Sequence, residues 1–411
     1  MGNRSKIGRT YWPIMFLACW STSVEAAPLA SSNSLPPIAS LAQLYDGTMR
    51  PELEVETLSH SEFLYPSGEV SRGSEVNPLP NAEGPFPAIQ FADRGHTYDL
   101  YDYLADNRVA GLLVLKDGKI ALEDYELGAG PDTRWASFSM AKSIASTLLG
   151  AAVRDGYIHS LDDPVTQYVP ALRGGGYEGV SIRNVLMMAS GVRWNETYTD
   201  PNSDRRKLLA KLAPHQPGAA MAFMGALPKA GTPGSIWNYN TGETYVLGAI
   251  IEAATKKPLT QYLSEKIWSR AGMEQDAGWW TESPGGLTLA GGGLSATLRD
   301  YGRFGLIALN GGVIDGQPIV PEGWFEEAGQ AHQIGGKTVG YGYMWWIPDQ
   351  TDPIHNNAYQ AEGIFGQFIY VNPKERLVIV VLSARPKPSD RSRLELDDDA
   401  FFAAVAKALH N

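Results

Sequence analysis

The chain has almost no cysteine. Cys19 is the only one in 411 residues, so no disulfide can close within the chain and no thiolate-rich metal site can be built. Histidine is scarce too. None of the seven stands in the His-x-x-x-His spacing that puts two imidazoles on one helix face for zinc. Gly-x-Ser-x-Gly is absent, which removes the sharp nucleophile turn of the α/β-hydrolases. Basic charge is outweighed, with 34 Lys and Arg against 45 Asp and Glu and a net charge of -11. Nucleic acids and anionic membranes both reward a basic face and are therefore not expected partners. No apolar run approaches the roughly 20 residues that a membrane-spanning helix needs.

What is present begins with an export-like terminus. Arg4, Lys6 and Arg9 precede the short apolar run 11–20, and small residues follow, ending in Val24-Glu25-Ala26. This pattern predicts a signal peptide over 1–26 and an exported, periplasmic or secreted product. Lipidation at Cys19 is the minor alternative, since Phe16 stands where such signals carry an aliphatic residue. Residues 27–104 are polar and rich in proline, as in "PLASSNSLPPIAS" and "VNPLPNAEGPFP". They predict a loop-rich arm laid on a main domain over 105–411.

That domain opens and closes with strand pairs. Two apolar runs flank Asp117-Gly118, a strong hairpin signal. Near the other end, "FIYV" and "LVIVVLS" flank the turn "NPKER". Between them lie helical periods. "AKSIASTLLGAAVRDG" aligns Ile144, Leu148, Leu149, Ala152 and Val153 on one face and stops at Gly156. "SIRNVLMMASG", "ETYVLGAIIEAATKK" and "TLRDYGRFGLIALNGG" read alike, and "LDDDAFFAAVAKALHN" suits a terminal helix. Strands at both ends with helices between predict an α+β fold, in which distant parts of the chain complete one antiparallel sheet.

The chemistry centres on "SFSMAKS", 137–143. Ser139 falls at the start of a helix, and Lys142 is three residues on, on the same face. The free N–H groups of a first helical turn can hold an oxyanion. Apolar neighbours favour an uncharged lysine able to act as base. The alternative is an N-cap serine beside a solvated lysine, because chance alone supplies about one Ser-x-x-Lys in a chain this long. Two further segments weigh in. Tyr239 in "WNYNTGE" precedes a helix and can relay a proton if its phenol lies beside the lysine, or can simply pack. Gly363 and Gly366 bracket a strand start, which reads either as a bulge or as a close approach whose Ile364 N–H donates to an oxyanion. "GGGYEG" at 174–179 matches Gly-x-Gly-x-x-Gly, but no strand leads into it, so it is read as a loop.

Ser139-Met140-Ala141-Lys142, Tyr239-Asn240-Thr241 and Ala361-Glu362-Gly363 resemble, in order and rough spacing, the motifs of the penicillin-recognising serine hydrolases, in particular the class C β-lactamase-like family. "GYIHSLDDPVTQYVPAL", "AGGGLSATLRDYGRFGLIALNGG" and "YGYMWW" share the likeness, which covers about 105–410. The resemblance implies a β-lactamase/transpeptidase-like fold: an antiparallel sheet flanked by helices, with a mostly helical lobe inserted over about 140–270. It implies Ser139 as nucleophile, Lys142 as base, Tyr239 as proton relay, and the N–H groups of Ser139 and Ile364 as the oxyanion hole. No metal or cofactor is needed.

The third motif departs from the usual Lys-Thr-Gly or His-x-Gly. Ala361 offers no cation to the carboxylate that a β-lactam carries. The segment "NETYTDPNSD" resembles instead the 6-aminohexanoate-dimer (nylon oligomer) hydrolases and related carboxylesterases. In these a loop tyrosine closes over the substrate amide, and Tyr198 matches it. It is otherwise an ordinary loop aromatic. Glu196, Asp200 and Asp204 would draw an ammonium group if they face the cleft. Trp345 and Trp346 read as strand and cleft-wall packing, and His355 and Asn356 stand near enough to the third motif to line the cleft. The expectation is a serine hydrolase for small linear amides or esters. The alternatives are a β-lactamase or D,D-peptidase-type penicillin-binding protein, and a non-catalytic scaffold. The oligomeric state leaves no sign in the sequence.

Overall fold

The computed structural model describes residues 37–388 and 395–410, together with Gly2. The expected signal segment, its cleavage site and Cys19 lie outside the described residues. The expected terminal hairpins are both present, and they share one seven-stranded antiparallel sheet. Its order is Tyr341–Gly342, Trp345–Trp346, Tyr359–Gly363, Gln367–Asn372, Leu377–Ser383, Val109–Lys116, Lys119–Tyr125. The first and last parts of the domain meet where Val380 pairs with Leu113 and Ile379 with Val114. Side chains alternate across this sheet, as the two-residue period of a strand requires. Leu113, Leu115, Ile369, Val378 and Val380 face the larger core, which includes the helices Met140–Arg154 and Leu298–Leu309. Leu112, Val114, Tyr370, Ile379 and Val381 face a second layer. That layer is built from Tyr103 and Leu104 and from Phe401, Phe402 and Val405 of the terminal helix Asp398–Ala408.

The lobe that follows the nucleophile is mostly helical. Between the strands Arg134–Ala136 and Ala277–Trp280 the chain forms helices and turns, with only isolated bridges. Thr241–Thr255 runs through the middle of this lobe, with Asn240 capping the Glu243 N–H at 3.2 Å. The helix expected in "SIRNVLMMASG" is shorter than its pattern. It ends after Ile182–Leu186, because Met188 turns left-handed at φ 53° and sends the chain toward the cleft.

Two features depart from the sequence reading. A second, four-stranded sheet exists, in the order Ser67–Val70, Ala277–Trp280, Leu294–Thr297, Arg134–Ala136. The segment expected to be a loop-rich arm supplies its first strand, and also the helices Leu41–Asp46, Pro51–Ser59 and Leu100–Asp106. Those short elements have too few turns to show a sustained period. They are stabilised by caps and burial instead: Ser40 and Gln43 make a reciprocal capping box, and Leu41, Leu44 and Tyr45 are buried. No helix among the described residues is long and apolar enough to cross a membrane.

Glycines let Leu298–Leu309 lie close against the main sheet. A Cβ at Gly302 would come 2.5 Å from Leu113 Cδ2, and one at Gly305 would come 2.5 Å from Val378 Cγ1. Gly305→Leu is therefore expected to lift the helix and lower folding stability by about 1–3 kcal/mol, the usual cost of overpacking. Chemical denaturation of the variant checks this, and an unchanged midpoint would contradict the close approach.

Candidate active site

The strand Arg134–Ala136 delivers the chain to the nucleophile turn, and Ser137 N anchors the turn by donating to Leu294 O at 2.8 Å. Phe138 then takes a left-handed φ of 41°, a conformation that costs a non-glycine residue about 1–3 kcal/mol and is found where surrounding structure enforces it. Here the Phe138 ring packs against Phe365 at 5.0 Å and Trp280 at 6.4 Å. The helix that follows starts tightly, with Met140 N, Ala141 N and Lys142 N each bonded three residues back. This brings Lys142 onto the face of Ser139. Lys142 Nζ lies 2.8 Å from Ser139 Oγ and 2.7 Å from the carbonyl of Gly291.

Lys142 is only 1% exposed. Burial pushes its amine down to about 7; Glu196 works against the shift and Arg205 adds to it. A large share of the lysine is thus uncharged near neutrality, as a base for Ser139 requires. The amine also sits 5.1 Å from the centre of the Tyr239 ring. Burial raises the Tyr239 phenol, Glu196 raises it further, and a hydrogen bond with Ser139 acts in the opposite direction. Serine, lysine and tyrosine, predicted from three distant segments, therefore meet. The bonds of Tyr239's neighbours hold it in place: Asn238 N donates to Met188 O at 2.8 Å, and Asn238 Nδ2 to Trp194 O at 3.1 Å.

The third segment closes the floor. A Cβ at Gly363 would come 2.4 Å from Ser137 O and 3.2 Å from Ser139 N, so only glycine lets this strand approach the nucleophile turn. Ile364 follows at once. Among the described residues neither the Ser139 N–H nor the Ile364 N–H has a hydrogen-bond partner. The turn is fixed from behind by the buried amide of Gln367, which donates to Phe365 O at 3.0 Å and Ser383 O at 2.7 Å and accepts from Ser383 N at 3.2 Å.

These groups open into a cavity of about 500 Å³ whose lining includes Ser139, Glu196, Tyr198, Tyr239, Trp346, Glu362, Gly363 and Ile364. Tyr198 therefore reaches the cavity, and its residual exposure is 8%. Of the acidic neighbours singled out in sequence, only Glu196 lines it. Asp204 is turned away into a two-pronged pair with Arg193, and Asp200 caps its own loop at Asn202 N. Trp346 lines the cavity, whereas Trp345 is core beside Phe304. His355 does not reach the cleft. Its ring is buried between the Tyr370 hydroxyl at 2.9 Å and Asp399 O at 3.1 Å.

One functional partner, Gly291, escaped the sequence reading, and so did the role of another, Glu196. Gly291 supplies its carbonyl to Lys142, and the only sequence signal is the glycine run 291–293. Glu196 accepts from Trp194 Nε1 at 2.5 Å, Thr241 N at 2.9 Å and Thr241 Oγ1 at 2.5 Å. Its carboxylate thus caps the helix that follows Tyr239, where negative charge is favoured. No group of three or more His, Cys, Asp and Glu side chains suited to hold a metal ion occurs among the described residues.

The chain is similar to known proteins over most of its length. The family described as Beta-lactamase matches residues 101–402. A 6-aminohexanoate-dimer hydrolase from Paenarthrobacter ureafaciens is 32% identical over 343 residues, covering 80% of this chain and 84% of the relative. A Bacillus anthracis structure assigned by name to the 6-aminohexanoate-dimer hydrolases superposes with a TM-score of 0.77 at 24% identity, covering 88% of this chain and 95% of that one. A family VIII carboxylesterase structure gives 0.55 at 16%, covering 74% and 92%. These last two likenesses concern the fold. With a family match across most of its length and a nucleophilic serine poised on a buried lysine, the chain belongs to the Beta-lactamase family and is a serine hydrolase.

Proposed function

We propose that the protein cleaves small linear amides or esters through an acyl-enzyme on Ser139. The observation that carries this reading is the buried, largely uncharged Lys142 amine 2.8 Å from the Ser139 hydroxyl. Ser139 Oγ attacks the substrate carbonyl as its proton passes to Lys142 Nζ. The N–H groups of Ser139 and Ile364 receive the oxyanion. Tyr239 gives its proton to the leaving nitrogen or oxygen and regains one from Lys142. The C–N or C–O bond breaks, leaving the acyl group on Ser139. Water then adds to the ester as one of its protons passes to Lys142, the C–Oγ bond breaks, that proton returns to Ser139 Oγ, and the acid departs.

Substrate class follows from the lining. The relative from Paenarthrobacter ureafaciens is named for a linear amide, the 6-aminohexanoate dimer. Tyr198 is one of the residues that line this cavity, and its phenol, raised by burial, stays protonated. It is assigned the role of holding the scissile amide nitrogen. A β-lactam is disfavoured because Ala361 and Glu362 offer its carboxylate no cation at the third motif; the cations that line the cavity, Arg385 and Lys387, come from another segment, and Arg385 is paired with Asp398. Export belongs to the same proposal, supported by Arg4, Lys6 and Arg9 ahead of the apolar run 11–20. N-terminal sequencing of the protein recovered from a periplasmic fraction should begin at Ala27, and retention of Met1 would refute export by this signal.

A panel of p-nitrophenyl butyrate, a linear amide and a β-lactam tests the reaction class. Ser139→Ala should lose at least about three orders of magnitude on every substrate that wild type turns over. Tyr198→Phe should lower amide kcat/KM roughly tenfold, the worth of one hydrogen bond to the reacting group, with ester hydrolysis changed by less than about twofold. Equal losses on both substrates would remove the amide-reading role of Tyr198.

The pH profile tests the base. Because Lys142 must be neutral, ester kcat/KM should rise with pH through about 7 and stand at about a tenth of its plateau one pH unit below that point. A flat profile between about pH 6 and 8 would show that Lys142 is not the group that takes the proton.

A further inference from the structure

Tyr198 does not hold itself in place. Among the described residues its hydroxyl takes no hydrogen bond within the protein, and what fixes the residue comes from the segment 41–47. The Tyr198 ring packs on the Tyr45 ring at 5.1 Å and an interplanar angle of 58°. The Tyr198 carbonyl accepts from Arg206 Nη1 at 3.1 Å, and the same Nη1 donates to Asp46 Oδ1 at 2.7 Å. Arg205, next in the chain, is buried. It donates from Nη2 to the Tyr45 hydroxyl, and its guanidinium lies 5.0 Å from the Tyr45 ring centre. Among the described residues its Nε and Nη1 have no hydrogen-bond partner, and Glu196 stands 4.0 Å away. Tyr45 and Asp46 thus fasten two successive arginines and, through them, the loop that carries Glu196 and Tyr198.

The same short helix reaches the other rim of the cavity. Gly47 ends it at φ 62°, and a Cβ there would come 3.2 Å from Lys387 Cγ and 3.4 Å from Pro386 O. Lys387 lines the same cavity, as does Arg385. The helix Leu41–Asp46 therefore touches both the Tyr198 loop and the 386–387 segment. It lies outside the residues matched by the family, 101–402.

We propose that Tyr45 and Asp46 are positioning residues that hold Tyr198 where it reads the scissile amide, so that amide preference is set by a segment that touches no substrate. This inference rests on the amide-reading role given to Tyr198. A loop fastened in advance meets the substrate already ordered, whereas a loosened one must be ordered at each encounter, and small misplacements of a positioning group are costly in rate.

The experiment compares Tyr45→Phe, Asp46→Asn and Tyr198→Phe, singly and combined, on a linear amide and on p-nitrophenyl butyrate. Tyr45→Phe keeps the ring and removes the acceptor for Arg205. Asp46→Asn alters a half-exposed group and serves if the buried change harms folding. Each should lower amide kcat/KM by about three- to tenfold and leave the ester within about twofold, and neither should lower it further in the Tyr198→Phe background. A purely structural role would lower both substrates together with the thermal midpoint, and that result overturns the inference. So does an amide defect in Tyr198→Phe that Tyr45→Phe and Asp46→Asn both fail to reproduce. If Tyr198→Phe itself spares the amide, the reading of Tyr198 falls and this inference falls with it.

Discussion

The burial of one amine governs this molecule. Lys142 can serve as a base near neutrality only if water is kept from it, because the ammonium form is what burial disfavours. That requirement shapes its surroundings. The helix Met140–Arg154 is buried on nearly every side and not on one stripe alone. The Gly291 carbonyl fixes the amine in direction, so that its remaining contact points at Ser139. Glu196 and Arg205 act on it with opposite sign. A carboxylate alone at that distance would favour the ammonium, and an arginine alone would be a buried charge without a counter-ion. Paired, they leave burial as the dominant influence.

The floor of the cavity bears on a second constraint of the proposed reaction, that two backbone N–H groups receive one oxyanion. No side chain can be substituted for them, so the backbone itself has to be placed. The left-handed Phe138 turns the chain into the helix, and Gly363 lets the neighbouring strand come close enough to touch Ser137 and Ser139. The Phe138–Phe365 contact ties the two turns together. Gln367 spends its whole amide on the carbonyls and N–H behind them. Strain at Phe138 is tolerated because both the small sheet and the large one bear on it.

Much of this was legible in the sequence, for physical reasons that can be named. A lysine three residues after a serine at a helix start shares its face, so spacing raised the pair Ser139 and Lys142, and the resemblance carried by three motifs chose it over an N-cap serine beside a solvated lysine. The hairpins at Asp117-Gly118 and 373–376 were legible because their flanking runs are apolar, the second pair rich in β-branched residues, and their turns are chemically marked. The arm was not. Its helices have six to nine residues, too short for a period to emerge, and are held by contacts with residues more than a hundred positions away, such as Tyr45 with Arg205. Gly291 escaped for a different reason: it contributes a carbonyl, and every residue has one. Asp204 and Glu196 looked equivalent as acidic loop residues. Only the fold shows that Arg193 takes one and the Tyr239 helix takes the other.

The two carboxylates on the cavity wall nearest the reacting groups sharpen the substrate class further. Glu196 is committed to Thr241 and Trp194, so its charge is spent on holding the Tyr239 helix. Glu362 accepts from Gln360 Nε2 at 2.9 Å and raises the Tyr239 phenol from the third-motif strand. Each adds negative potential beside a phenol that must remain protonated until the leaving group takes its proton. An anionic substrate group placed there would meet that potential directly, whereas a neutral amide or ester would not. On the proposed reading, the charge that keeps Tyr239 protonated is also the charge that opposes a carboxylate placed beside the scissile bond, at the departure Ala361-Glu362-Gly363.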